Sequence, residues 1–177
     1  ADFDPRAVNS TLNQWIIAKT AEAASAVSDA LDAYRFNDAA NAVYAFTWGT
    51  FCDWFLEFTK PVFNGEDEAA KAEARATAAW VLDRILGLLH PFMPYITEHL
   101  WDPTAQRDEM LITHQWPSFE GLEAAEARTE MDWVVDLITT IRSVRAEMNV
   151  PPSARMPLIL KDASPASKAR LETHGPL

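Results

Sequence analysis

Val43-Tyr44-Ala45-Phe46-Thr47-Trp48-Gly49-Thr50-Phe51-Cys52-Asp53-Trp54-Phe55-Leu56-Glu57-Phe58-Thr59-Lys60-Pro61-Val62 is apolar on nearly every turn. Val43, Phe46, Trp48, Phe51, Cys52, Trp54, Phe55, Phe58 and Val62 cover most of a helix circumference. A helix apolar nearly all round has to be packed on several sides. The stretch therefore predicts a central helix from Asp38 to about Phe63, with Asn37 as its N-cap. Asp53, Glu57 and Lys60 interrupt the run, so it reads as a buried helix and not as a membrane span.

Outward from this helix the periodicity stays helical. Leu12, Trp15, Ile16, Lys19, Ala23, Ala26, Val27, Ala30, Leu31 and Tyr34 recur at three- and four-residue steps, predicting a first helix from Asn9-Ser10-Thr11 to about Tyr34 or Arg35. Asn64-Gly65-Glu66-Asp67 is a turn. A third helix follows from about Glu68 to Leu100, with Trp80, Val81, Ile85, Leu88, Leu89, Phe92, Met93, Ile96 and Leu100 at core spacing. Pro91 and Pro94 should kink or break it near His90, because each removes an intrahelical bond; His90 would then bond freed backbone. Met110 to Pro117 is too short and proline-bound for a helix and reads as an extended segment. A fourth helix is predicted from about Glu123 to Asn149, with Met131, Val134, Val135, Ile138, Ile141, Val144 and Met148 inward, stopped by Val150-Pro151-Pro152. Met156 to Lys161 reads as a short strand. The fold class is all-α: an antiparallel helix bundle over residues 1–152, with a short C-terminal extended segment in 153–177.

Composition limits the chemistry. The 177 residues carry a net charge of −11, which argues against a free-standing nucleic-acid binder. The charge is uneven: residues 1–134 hold 9 Lys and Arg against 22 Asp and Glu, whereas residues 135–177 hold 6 against 4. A phosphate contact is therefore sought in the C-terminal third. There Arg142 and Arg145, three residues apart, share a helix face, and Arg155 and Lys161 extend the basic patch. The one cysteine, Cys52, lies in an apolar run and reads as a small buried hydrophobe, in keeping with a reducing, cytoplasmic setting. The N-terminus is acidic, without the apolar core of a signal peptide. The four histidines have no ligand-spaced partners, so no metal site is expected. Nor does any spacing suggest a phosphate-cradling glycine loop or a nucleophile with its base, and no catalytic residue is assigned. Trp15, Trp48, Trp54, Trp80 and Trp133 read as core, and Trp101 and Trp116 as seals or partner contacts.

Several segments carry a resemblance. They are Asn13-Gln14-Trp15-Ile16, Tyr34-Arg35-Phe36-Asn37-Asp38-Ala39-Ala40, Phe51-Cys52-Asp53-Trp54 with Leu56-Glu57, His90-Pro91-Phe92-Met93-Pro94 and Thr97-Glu98-His99-Leu100-Trp101. Trp116-Pro117 and Ile141-Arg142-Ser143-Val144-Arg145-Ala146-Glu147, ending at Pro151-Pro152, complete the set. In order and spacing they resemble the anticodon-binding helical domain of the class I aminoacyl-tRNA synthetases for branched aliphatic amino acids. Phe51-Cys52-Asp53-Trp54 and Asn149-Val150-Pro151-Pro152 resemble the valyl branch more than the isoleucyl or leucyl branches.

The resemblance implies a domain that receives the anticodon stem and loop of tRNA(Val), with Arg142, Arg145, Arg155 and Lys161 on the RNA. It implies a parent ligase that uses ATP and magnesium in a catalytic domain. That domain, the editing domain, the bundle's first helix and a C-terminal coiled-coil arm are not among these residues, so the chain alone should be inactive and its partners include the catalytic domain and the upstream helix. A helical protein-interaction bundle is the alternative from another class.

Overall fold

Thr11–Asp32 forms α1, whose buried face is Leu12, Trp15, Ile16, Ala23, Val27 and Ala30, as the periodicity predicts. Tyr34 departs from the stripe and is 81% exposed, because the helix has ended and the chain turns at that residue. The structure, a computed structural model, describes residues 3–151 and 153–175, and among these the regular elements are all helical.

The second helical rod is one residue run in three parts: α2 at Phe36–Phe46, a π-helical segment at Thr47–Phe55, and α3 at Leu56–Asn64. It begins two residues earlier than predicted. Arg35 is the N-cap, and the Asn37 amide instead donates to Asp38 Oδ1 at 2.9 Å. Nor is the rod apolar and buried all round. Val43, Phe46, Phe51, Phe55 and Phe58 are buried, whereas Trp48 is 56% exposed and Tyr44 and Leu56 face solvent. The π segment explains this phase. In an α-helix the five-residue step from Phe46 to Phe51 would swing the side chain about 140° off the stripe, but i→i+5 bonding returns the fifth residue to the same face.

Asp67 caps α4, Glu68–Leu89, by accepting from the N–H groups of Ala69 and Ala70. The chain breaks at His90 to Met93, as the two prolines require, and restarts as α5, Pro94–Thr104. The break resets the phase: Met93, Ile96 and Leu100, expected inside, are exposed, and Thr97 and Trp101 are buried in their place. His90 does not bond freed backbone. Its Nδ1 lies 2.8 Å from the Thr97 hydroxyl, which itself donates to Met93 O. The segment read as extended contains a short 3-10 turn at Leu111–Thr113, held by Glu98, whose carboxylate accepts from the N–H groups of Leu111 and Ile112.

The chain forms two compact units, residues 1–128 and 129–177. In the first, α1 packs on α2 and α4, and α3 on α4. Their shared core contains Ala24, Val27, Ala30, Ala39, Val43 and Leu88. A second cluster of Val8, Ile17 and Leu122 gathers Trp80 and Phe119 around it. Glu73 of α4 ties down the start of α1, accepting from the N–H groups of Asn9 and Ser10 and from the Asn13 amide.

The second unit contains most of α6, Ala125–Glu147, and α7, Pro165–His174. Met131 and Val134 are buried, but Val144 and Met148, expected inward, are 48% and 70% exposed. The expected strand at Met156 to Lys161 is not formed among the described residues; these residues are irregular and exposed, with no neighbouring strand to pair with. The helix α7 went unread, its apolar residues being too few for a stripe. Ser164 caps it, accepting from Ser167 N. Arg170 holds it to α6 through Glu130 at 2.9 Å and lies over the Trp133 ring.

Candidate nucleic-acid interface

In the first unit the turn between α1 and α2 is built like a glycine cap without the glycine. The Arg35 N–H donates back to Ala30 O at 2.8 Å, and Tyr34 takes φ +58°. That left-handed slot normally belongs to glycine, and an L side chain there costs about 1–2 kcal/mol. Two exposed rings stand at this turn. Tyr34 and Phe36, 81% and 57% exposed, meet edge to face at 6.4 Å, with Arg35 between them in sequence and 3.5 Å from Asp38. Backbone strain of this kind clusters at active sites and ligand clamps. The sequence reading quoted this stretch among the segments of the resemblance and marked a helix break there, but it placed Tyr34 on the apolar stripe and assigned neither ring to the RNA; the signal it held was the absence of glycine or asparagine at the turn. Further along the rod, Tyr44 and Trp48 add exposed rings one turn apart.

In the second unit a similar cap ends α6. Asn149 takes φ +53° and the Val150 N–H donates to Arg145 O at 2.9 Å. Arg145 reaches beyond this stop: its Nη2 donates to Pro151 O at 2.9 Å and to Ala154 O at 2.8 Å. Arg145 is half-buried, whereas Arg142, one turn earlier, is exposed. Arg155 follows Ala154 directly, so the Arg145 bonds fix the backbone that presents it. Arg155 and Lys161 are both exposed, and among the described residues no hydrogen bond or ion pair joins Lys161 to the three arginines. Pro152, half of the predicted double-proline stop, lies outside the described residues.

Arg170 and His174 of this unit are committed to Glu130. Glu130 lies below the ordinary carboxylate range, chiefly through its bond from Arg170, against some cost of burial, with His174 adding to the effect at 3.3 Å. Among the described residues no three His, Cys, Asp or Glu side chains are placed to share a metal, and no helix is long and apolar enough to cross a membrane. Cys52 is half-buried, and burial, with Asp53 beside it, pushes its thiol up, away from a reactive thiolate.

These features can be compared with known proteins. The family profile described as the anticodon-binding domain of tRNA ligase matches residues 13–160. The chain belongs to the anticodon-binding domain family of tRNA ligases. Its relatives agree with this. It is 51% identical, through 97% of its length, to the valine–tRNA ligase of Caulobacter vibrioides. It is 49% identical to that of Brucella suis through 98% and 48% identical to that of Rhizobium meliloti through 97%. The comparison favours the valyl branch over the isoleucyl and leucyl ones, and an anticodon-binding domain over an interaction bundle. The chain spans about a fifth of the length of these ligases, whose catalytic domain lies outside the matched stretch.

Proposed function

We propose that this chain receives the anticodon stem and loop of tRNA(Val) for a cytoplasmic valine–tRNA ligase, which joins valine to its tRNA at the expense of ATP. The observation that carries the reading is the near-half identity to valine–tRNA ligases through almost the whole chain. On this reading ATP and magnesium act in the catalytic part of the ligase, outside these 177 residues. What the residues of this chain do is bind and orient RNA.

The division of labour follows from the two units. Unpaired loop bases stack on aromatic faces, each contributing about 1–3 kcal/mol, and the exposed Tyr34 and Phe36 rings suit that role. Exposed guanidinium and ammonium groups neutralise phosphates. Arg142, Arg155 and Lys161 would do so directly, with Arg145 acting chiefly by holding the turn that carries Arg155. Because the whole chain is acidic, these cations have to work at short range, one phosphate at a time, and not through a broad positive field.

The test is aminoacylation by the intact ligase. Phe36→Ala should raise the Michaelis constant for tRNA(Val) about tenfold and leave that for valine unchanged. Arg142→Ala with Arg155→Ala should flatten its dependence on salt. Unchanged tRNA kinetics in both variants would overturn the assignment.

A further inference from the structure

A cavity of about 150 Å³ opens between α4 and the segment after α5, walled by Asp83, Arg84, Gly87, His90, His114 and Trp116. At ~30 Å³ per water it holds only a handful of solvent molecules. Its charge is out of balance. Among the described residues Arg84 has neither an ion pair nor a hydrogen bond; its guanidinium lies over the Trp80 ring, 5.4 Å from the centroid, and its Nε is buried without a partner. The carboxylates close by are already engaged. Asp83 gives both oxygens to Arg107, at 2.6 and 3.0 Å, and Glu109 is 2.7 Å from His114 Nδ1.

His90 adds a second orphan. His90 Nδ1 lies 2.8 Å from the Thr97 hydroxyl, which is also within bonding distance of the Met93 and Pro94 carbonyls. Its Nε2 is buried with no partner. The Trp116 indole does not serve this cavity, since its N–H donates to Ser28 at 3.1 Å. A half-buried guanidinium with neither ion pair nor hydrogen bond is costly unless an anion compensates it.

We propose that this cavity binds a small oxyanion of the phosphate class, with Arg84 as its counter-ion and His90 at its edge. The state of Arg84 agrees: burial lowers its proton affinity, Asp83 beside it restores part, and Arg107 lowers it further. A guanidinium in that position gains most from an incoming negative charge. The proposal stands apart from the tRNA reading, since it concerns a cavity within the first unit and none of the cations assigned to RNA. Inorganic phosphate and the phosphodiester of a short oligonucleotide share the required chemistry.

The test is the thermal midpoint of the full chain, titrated with sodium phosphate at constant ionic strength made up with chloride. A ligand that binds only the folded state raises the midpoint in a saturable way. The expected result is such a rise, with Arg84→Gln weakening the apparent affinity at least tenfold while leaving the phosphate-free midpoint equal or higher, because it removes an unpaired charge. Gly87→Leu gives an independent arm. A Cβ at Gly87 meets nothing within 4 Å, so the variant should fold, and its side chain should fill the cavity and abolish the response. A uridine dinucleotide that reproduces the rise would assign the site to a backbone phosphate, and one that does not would assign it to the free anion. A phosphate response equal in wild type and both variants, or matched by chloride alone, would overturn the proposal.

Discussion

Arg145 crosses the end of its own helix to donate to Ala154 O at 2.8 Å, so a cation that reads from sequence as an RNA contact acts in this structure as a clasp on the turn beyond α6. Its neighbour Arg142 shares the helix face and is exposed. On the proposed reading, Arg142 is left to the RNA while Arg145 holds the turn.

Their substitution should separate the two roles. Arg145→Ala removes two charge-assisted bonds, each discounted for exposure, and should cost about 1 kcal/mol of stability. By loosening the turn that carries Arg155 it should lower the salt slope of tRNA use by less than Arg142→Ala does. Arg142→Ala should do the reverse, with stability within about 0.5 kcal/mol of the parent and a salt slope reduced by about one. Urea unfolding of the chain and salt-dependent tRNA kinetics of the ligase check the pair; the same profile for both variants would contradict the division.

Glu73 supplies a prediction about acid. Burial raises its carboxyl, but the bonds from Asn13, Ser10 and Asn9 outweigh that and leave it below the ordinary value. A group whose folded pKa is depressed contributes stability above its unfolded pKa, about 4.3 for Glu, and loses it as pH falls through the folded value. Glu73→Gln should therefore cost about 1–2 kcal/mol at pH 6, and the gap to wild type should narrow steadily below about pH 4. Urea midpoints at pH 6 and pH 3 measure it, and a gap that stays constant would remove Glu73 from this role.

How much of this was legible in the sequence depends on whether a residue's fate is set by its own helix. The α1 stripe, the break at His90 and the turn before α4 were readable because periodicity, proline and a run of turn-forming residues act locally. Trp48 was misread because the π segment changes the phase, and the only trace of that in the sequence is the five-residue step from Phe46 to Phe51. Met148 was misread because a stripe states which face could be buried, not whether anything covers it. Arg145 was placed on the correct face, but its partner lies past a proline stop where no spacing rule applies. The strand expected at Met156 to Lys161 had the right residues and no neighbour, and a lone strand leaves its main chain unpaired.

Phe55 and Trp48, seven residues apart in the π segment, should respond in opposite ways to truncation. Phe55 is fully buried and stacks on Phe51 at 5.7 Å, so Phe55→Ala should cost about 3–5 kcal/mol. Trp48→Ala removes a larger but mostly exposed side chain and should change stability by less than about 1 kcal/mol. Chemical denaturation of both variants decides the phase of the rod: comparable losses would mean that Trp48 is in the core after all.

The strained cap at Tyr34 gives the clearest separation of stability from function. A tyrosine at φ +58° carries the left-handed penalty that glycine avoids, partly offset by the extra unfolded-state freedom that glycine brings. Tyr34→Gly should therefore stabilise the chain by about 0.5–1 kcal/mol, an uncommon sign for a large-to-small change. It also removes one of the two rings at the α1–α2 corner, so in the ligase it should weaken tRNA use several-fold. A rise in midpoint together with a rise in the tRNA Michaelis constant is the expected pair. Strain kept at an exposed aromatic residue makes sense only if the ring has work to do there, so a stabilised variant with wild-type tRNA kinetics would remove Tyr34 from the RNA surface.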